Sequence, residues 1–271
     1  MSERDLARPF PVPDAPVRLE PWLASVGTVF AEIRGHDSGC TSYGVQVDGV
    51  RWFVKAAYGA DRAQLAGARR VHAVLSHPAV VPLVAAFALA DEGHAVVHPW
   101  VDGEILNDPF APGALPHAAP SSALNRFRAL PLAQVLAAYD VVLDAHLAVR
   151  EAGLVAVDFY DGCLIHDFDT GTTRLVDLDL YAPPYVLDVD RQFGSSRFMA
   201  PEEWRRGADV DARTTVFTLG RTGFQLLCGP GGDEATFRGD DRRRHVLERA
   251  TAHDPAERFA DVDDLVAAWR G

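Results

Sequence analysis

The chain has 271 residues, of which 48% are apolar and 24% are charged, a balance typical of a water-soluble globular protein. That length suits two small domains or one large lobed domain. The formal net charge of −12 disfavours nucleic acid as a partner, because an acidic surface repels phosphates. Cys40, Cys163 and Cys228 match neither a zinc spacing nor a disulfide framework, so we expect a cytoplasmic protein.

No apolar run approaches the ~20 residues that a membrane-spanning helix needs. The first residues are polar and charged, without the basic-then-apolar pattern of an export signal. We therefore expect neither export nor a membrane partner.

The first part of the chain has the periodicity of strands with one helix. Asp48-Gly49 lies between two alternating apolar runs, and this dipeptide is typical of a type I′ hairpin turn. Residues 1–18 carry four prolines and predict an extended tail. The other predicted elements are strands over 42–47 and 50–55, a helix over 61–75, and strands over 80–88 and 94–100.

The second part is mainly helical in its pattern. Residues 107–130 predict a mobile loop, rich in Ala-Pro and Ser, and apolar stripes predict helices over 132–147 and 262–269. Strands with one helix followed by helices indicate an α+β chain. We divide it into a tail (1–18), a small β-rich N-lobe (19–101) and a larger α-rich C-lobe (102–271).

Lys55 follows an apolar strand, with Val54 pointing to the opposite face. A lysine with a buried stem and its ammonium directed into a cleft can hold the α- and β-phosphates of a nucleotide. The alternative is a structural lysine that reaches solvent from the strand edge.

Three aspartates sit at the ends of apolar segments. Asp158 lies inside an apolar run that leads into a turn, so it is either buried and hydrogen-bonded or catalytic. Asp177 and Asp179 follow the strand-like residues 174–176 and would share one face of an extended chain. Paired carboxylates repel unless a cation lies between them, so they predict a magnesium site. The alternative is a pair of solvated turn aspartates.

Each motif is weak alone, but their order and spacing are specific. Asp177 follows Asp158 by 19 positions, and both follow Lys55. The segments that complete the series are 194–204, which reads GSSRFMAPEEW, 217–220, which reads FTLG, and 254–259, which reads DPAERF. Over about residues 25–270 the chain resembles the protein kinase family, in the form of an atypical bacterial Ser/Thr kinase of eukaryotic type.

The resemblance implies the two-lobed kinase fold and the use of ATP and Mg²⁺. Lys55 looks like the lysine that holds the α- and β-phosphates, and Asp158 like the catalytic aspartate that accepts the proton of the attacking hydroxyl. Asp177 looks like the first residue of the DFG motif, which binds magnesium. The residues that would bind the nucleotide are Lys55, Gly39, Gly44, Val45, Pro99 and Val101, the last two at the positions that meet adenine.

The segment 194–202 is the most specific part of the resemblance, since it is similar to the family's segment ending in Ala-Pro-Glu. Glu202 would pair with Arg258 to brace the C-lobe. Ser195 would occupy the threonine position at the floor of the peptide-binding site. Both roles concern a protein substrate.

The chain also departs from the family pattern. The glycine-rich loop lacks the usual spacing, and DFG has become Asp-Leu-Asp. The other departures are Val157 for the arginine before the catalytic aspartate, Tyr160 for a lysine near the γ-phosphate, Cys163 for the metal-binding asparagine, Thr215 for an aspartate, and no acid around Ala68 to pair with Lys55.

Because Cys163 would offer a soft sulfur to a hard cation, another acid must complete a magnesium site. Asp179 is the favoured candidate, since it is two residues from Asp177. Asp161 is the alternative, although it could instead cap the turn with Gly162.

Three functions follow from these motifs. The first is a magnesium-dependent protein kinase that acts on Ser or Thr. The second is a phosphotransferase for a small hydroxylated molecule, similar to the aminoglycoside and choline kinases, in which Asp-x-Asp replaces DFG. The third is a pseudokinase that binds partners without catalysis.

Overall fold

A computed structural model describes residues 9–34, 39–107, 119–229 and 233–271. The described residues separate into two compact units. We call the part within Met1–Ser76 and Val81–Asp102 the N-terminal unit. The C-terminal unit consists of His77–Val80 and the described residues from Gly103 to Gly271. The chain is a mixed α+β protein.

The N-terminal unit is built on a five-stranded antiparallel sheet in the order β1-β2-β3-β5-β4. Its elements are α1 (Leu19–Val26), β1 (Thr28–Ile33), β2 (Thr41–Val47), β3 (Val50–Ala57), a 3-10 turn (Gly59–Asp61), α2 (Arg62–Val74), β4 (Ala85–Leu89) and β5 (Gly93–Pro99).

The hairpin between β2 and β3 is confirmed. Val47 pairs with Val50, and Asp48 and Gly49 between them have φ values of +49° and +84°. Positive φ at both central residues defines the type I′ turn, whose twist matches that of the flanking strands.

The segment before α1 packs into the unit. Phe10 is buried, its ring lies edge-on to the rings of Trp22 and Trp52, and Val17 pairs in parallel with Leu89. Residues 9–18 are thus extended, as their prolines indicate, but they cover one face of the sheet.

Helix α2 covers the other face, and the predicted helix over 61–75 is confirmed. Leu65 and Ala68 are fully buried in an apolar cluster with Ala57 and Val96 of the sheet. The predicted strand over 80–88 is wrong in its first half, because β4 begins only at Ala85. Pro82 has no amide hydrogen to donate to a ladder, and this disfavours an earlier start.

The C-terminal unit is mainly helical. Its helices are α3 (Ala123–Arg128), α4 (Leu132–Glu151), α5 (Ala212–Leu227), α6 (Asp241–Ala250) and α7 (Val262–Arg270), with 3-10 turns at Asp161–Cys163, Pro201–Trp204, Glu234–Thr236 and Pro255–Glu257. Its strands are β6 (Glu104–Ile105), β7 (Leu164–Asp167), β8 (Thr172–Leu175), β9 (Tyr185–Val186) and β10 (Asp209–Val210).

The predicted loop over 107–130 is wrong at its end, where α3 forms. The Ser122 hydroxyl accepts a hydrogen bond from the Asn125 amide and caps that helix, which buries Leu124 and Phe127. The part of this prediction that falls on 108–118 lies outside the described residues. The closing helix is confirmed as α7, with Leu265 and Trp269 buried.

Helix α4 reaches the length and mean hydropathy of a membrane-spanning helix. Its polar residues are scattered, so the mean hydropathy stays high although they interrupt every long apolar run. Tyr139, Val142 and Leu143 are fully buried in the structure. The core helix of a globular unit passes the same test, so α4 by itself does not indicate a membrane.

Candidate active site

Lys55 lies on β3, directly opposite Ser42 of β2 and Val96 of β5. Its neighbour Val54 is fully buried on the other face, in the core that also holds Trp52. Strand alternation therefore turns the half-buried Lys55 side chain to the face that carries α2. The helix presents Ala68 to that face, at the position where an acid was sought.

The glycines predicted to contact a nucleotide make room for specific side chains. A Cβ on Gly39, whose φ is +70°, would lie 2.2 Å from Oδ2 of Asp61. A Cβ on Gly44 would lie 2.6 Å from the ring of Phe30 and 2.8 Å from that of Trp100. A larger residue at Gly39 would be strained by the positive φ, and one at Gly44 would require the two rings to shift.

Val45 does not share a face with Lys55. It pairs with Trp52 and is fully buried in the core on the opposite face of the sheet. We therefore correct the prediction that Val45 binds the nucleotide together with Lys55. The β2 residue that lies opposite Lys55 on the same face is Ser42. Sequence reasoning missed this neighbour, although counting alternate positions back from the hairpin identifies it.

Pro99 and Val101 lie at and just beyond the end of β5. Pro99 is buried opposite Trp52, and the Trp100 amide between the two residues donates to the Arg51 carbonyl at 3.0 Å. The chain is therefore held in extended form up to Trp100, which leaves Val101 half-buried.

In the C-terminal unit, Asp158 sits at a turn with φ of +55°. Its Oδ1 accepts a hydrogen bond from the Ser195 amide at 3.2 Å. The Cys163 thiol donates to the Asp158 carbonyl at 3.5 Å. Thr215, which departs from the family pattern, accepts from the Ala156 amide at 2.9 Å and so links α5 to the residues before this turn.

The structure contradicts the extended geometry predicted for Asp177 and Asp179. Strand β8 ends at Leu175, and Asp177 has φ of +59°, in the left-handed region. This turn leaves Asp177 exposed, whereas Leu178 and Asp179 are buried. The Val176 amide donates to the Cys163 carbonyl at 2.9 Å, so both turns belong to one local framework.

Asp161 is completely buried. Its carboxylate accepts hydrogen bonds from Asn107, from both terminal nitrogens of Arg197, and from Gln225, at distances of 2.6 to 3.1 Å. A carboxylate offers about four lone-pair sites, and these donors occupy that number.

Glu202 and Arg258 form a buried ion pair. The two guanidinium nitrogens bind the two carboxylate oxygens at 2.7 and 2.9 Å, and Thr214 donates to the same carboxylate at 2.8 Å. Burial alone would raise the pKa of Glu202, but the hydrogen bonds from Arg258 and Thr214 outweigh it and lower that pKa. The pair joins the end of the segment 194–202 to the turn before α7.

Two further titratable groups lie near the Asp158 turn. Burial, and secondarily the neighbouring Cys163, Asp158 and Asp177, raise the pKa of Tyr160, so its hydroxyl keeps its proton at neutral pH. Burial also raises the pKa of Glu203 to about 7. The hydrogen bond that its carboxylate accepts from the Ala200 amide at 2.7 Å acts in the opposite direction but is outweighed. Among the described residues, no three His, Cys, Asp or Glu side chains form a cluster able to hold a metal ion.

Comparison with known proteins gives one distant similarity. No protein-family model matches the chain. The DNA damage-responsive serine/threonine-protein kinase RqkA of Deinococcus radiodurans is 29% identical over 217 residues, which cover 76% of this chain and 29% of that protein. The chain thus spans less than a third of the length of the curated relative it matches. At this distance, the chain is similar to a serine/threonine-protein kinase and is kinase-like in its sequence.

Proposed function

We propose that the chain is an ATP-dependent phosphotransferase that uses Mg²⁺ and acts on Ser or Thr hydroxyls of a protein substrate. The observation that carries the proposal is the hydrogen bond from the Ser195 amide to the Asp158 carboxylate. It fixes the segment proposed to hold the acceptor beside the group proposed to take its proton.

The nucleotide is assigned to the residues of the N-terminal unit that the sequence singled out, without Val45. Lys55 supplies the positive charge for the α- and β-phosphates. Gly39 and Gly44 are assigned by the resemblance alone, since side chains of Asp61, Phe30 and Trp100 fill the space next to them. Pro99 and Val101 offer backbone groups to the base, and proline can offer only its carbonyl.

The metal is assigned to Asp177 and Asp179. The donor set fits magnesium, which prefers oxygen ligands and is commonly held by one or two carboxylates plus substrate phosphates. Asp177 is exposed and is proposed as the principal ligand. Asp179 follows two residues later but is buried, so a second contact from it requires its side chain to move. Asp161 is the poorer candidate, because its carboxylate is already covered by four donor contacts. When bound, magnesium would neutralise charge on the phosphate oxygens.

The proposed reaction needs few protein groups. The acceptor oxygen forms a bond to the γ-phosphorus as the bond from that phosphorus to the β–γ bridging oxygen breaks, and the hydroxyl proton passes to Asp158. Positioning and electrostatic stabilisation together account for most of the catalysis in this chemistry. The framework that holds Asp158, Ser195 and Thr215 is suited to this task.

A protein acceptor is favoured over a small molecule by the surface next to Ser195. Phe193 and Trp204 are 75% and 45% exposed, and Arg191 stacks on Trp204 with its guanidinium carbon 4.5 Å from the ring centre. These exposed rings offer apolar contact to a protein acceptor. The Asp-Leu-Asp sequence at 177–179 is the feature that favours a small-molecule acceptor.

A pseudokinase is the second candidate function. Two observations favour it: α2 carries Ala68 where the family has an acid, and buried Cys163 stands where the family has an asparagine. In that case the chain would bind a nucleotide or a protein without transferring phosphate.

Incubation of the pure protein with γ-³²P-labelled ATP and Mg²⁺ or Mn²⁺, with and without a generic protein substrate, tests the proposal. The control pair is Asp158→Asn, which removes the proposed base, and Asp169→Asn, which changes an exposed aspartate on the β7–β8 turn. We expect labelled protein with the wild type and Asp169→Asn, and none with Asp158→Asn.

Label found only in small molecules would support the second function in place of the first. No label in any fraction, together with a nucleotide-induced rise in melting temperature, would indicate the pseudokinase. Equal labelling by Asp158→Asn would refute the role of Asp158.

A further inference from the structure

Asp161, three residues after Asp158, is completely buried. Its donors come from three separate parts of the C-terminal unit: Asn107 after β6, Arg197 in the segment 194–202, and Gln225 on α5. A buried carboxylate is costly unless it is paired and hydrogen-bonded, so these contacts require that all four side chains be correctly placed.

The positive charge of Arg197 balances the negative charge of the Asp161 carboxylate. Its two terminal nitrogens lie 3.1 and 2.9 Å from the two oxygens of Asp161, a two-point contact of the kind that fixes orientation as well as distance. Its own carbonyl accepts from Nε of Arg221 on α5 at 3.1 Å. The guanidinium and the backbone of Arg197 are therefore both held.

The same segment touches the same turn a second time. The Ser195 amide, two residues before Arg197, donates to Asp158, three residues before Asp161. Two contacts between two short segments, one from a backbone amide and one from an ion pair to a buried carboxylate, restrict rotation as well as separation.

We propose that Arg197 and Asp161 are positioning residues, and that the ion pair between the exposed Arg197 side chain and the buried Asp161 carboxylate holds Ser195 on Asp158. Neither residue touches the reacting atoms in this scheme. The catalytic consequence, placement of the acceptor, rests on the proposed function, whereas the positional claim does not. The proposal also gives Asp161 a role that excludes it as a metal ligand.

Hydrogen exchange of the Ser195 amide, followed by NMR or by mass spectrometry with overlapping peptides, measures this directly. The variant is Arg197→Met, which keeps the aliphatic stem and removes the guanidinium. The matched control is Arg206→Ala, which removes an arginine from a nearby ion pair with Asp190 in which both side chains are largely exposed. All samples are treated with a phosphatase and checked by mass, so that the variants and the wild type are compared without phosphorylation.

We expect the Ser195 amide to exchange at least about tenfold faster in Arg197→Met than in the wild type, because its hydrogen bond opens locally. Amides of α4 and α7 should keep their protection, and Arg206→Ala should match the wild type throughout. Asp161→Asn should reproduce the effect, and the double variant should be no worse than either single one, since both changes break the same pair.

If Arg197→Met does not fold, Arg197→Lys tests the same claim, because lysine keeps the charge but not the two-point contact. Faster exchange across the whole C-terminal unit would overturn the positioning role and leave a merely structural one. Unchanged exchange at Ser195 in a folded variant would overturn the proposal altogether.

Kinetics separate this inference from the proposed function. If the chain transfers phosphate, Arg197→Met should raise KM for the protein acceptor about tenfold while KM for ATP stays the same. If the chain transfers none, the exchange result still decides the positional claim by itself.

Discussion

Removal of one partner from the Glu202–Arg258 pair should destabilise the C-terminal unit strongly. Both side chains are at most 3% exposed. Arg258 also donates to the carbonyls of Ala252, Arg213 and His253, so its charge is fully committed. Arg258→Met leaves the Glu202 carboxylate buried with Thr214 as its remaining side-chain donor among the contacts described above.

The size of the effect follows from burial. Loss of one member of a buried ion pair costs about 3 to 5 kcal/mol, because the other charge stays in a medium of low polarity. For a chain of this size, each kcal/mol lowers the melting temperature by roughly 2 to 4 °C. We therefore expect Arg258→Met to melt about 10 °C below the wild type, and Glu202→Gln to show a loss of the same order.

The assay is urea unfolding followed by circular dichroism, together with thermal melting, for a complete double-variant cycle. The double variant Glu202→Leu/Arg258→Met removes both charges and replaces them with apolar groups of similar size. It should recover much of the loss, since no buried charge is left unpaired. Arg270→Met, which removes an arginine from an exposed pair with Asp144, is the control and should change stability by less than about 1 kcal/mol.

The pH dependence supplies a second check on Glu202. Its pKa is lowered in the folded state, so its contribution is present above the unfolded pKa of 4.5 and is lost as pH falls below that value. The stability difference between wild type and Glu202→Gln should thus shrink on acidification below pH 4.5. Additive losses in the double variant, or a difference that grows in acid, would refute the reasoning.

Three further predictions concern single residues. Lys55→Met should reduce phosphate transfer at least about 100-fold with little change in melting temperature, and unchanged transfer would remove Lys55 from the site. Asp179→Asn should raise the Mg²⁺ concentration for half-maximal rate by about tenfold, whereas an unchanged titration curve would exclude a metal role. Glu203 has a folded pKa of about 7 against 4.5 unfolded, so its contribution to stability is lost as pH rises through that interval. Glu203→Gln should therefore be more stable than the wild type at pH 8 by up to about 3 kcal/mol in urea unfolding, and a wild type that gains stability from pH 5 to 7 more steeply than Glu203→Gln would contradict this.

Short-range patterns predicted the local elements well. The hairpin at Asp48-Gly49, helix α2 and helix α7 each depend on residues within a few positions of one another, and periodicity is a sufficient signal for them. The errors lie where a local rule competes with a turn or a cap. Pro82 delays β4, and the Ser122 cap starts α3 inside a stretch whose composition predicts a loop.

The candidate site shows the same division. Motif order singled out Asp158, Ser195, Glu202 and Arg258, and the structure places the first two, and the last two, in direct contact. The structure places Val45 and Lys55 on opposite faces of the sheet. Which face a strand residue takes depends on the register, and the register is set by the hairpin.

By itself, the sequence determined which groups are available for chemistry and in what order they occur. Only the tertiary structure decided how each acid is buried and which groups contact it. A left-handed residue at Asp177 turns the chain so that Asp179 is buried instead of lying beside it in an extended strand. Arg197, 36 positions away along the chain, forms an ion pair with Asp161. The physical reason is that a carboxylate's role depends on its burial and its donors, and these come from segments that are distant in sequence and meet only on folding.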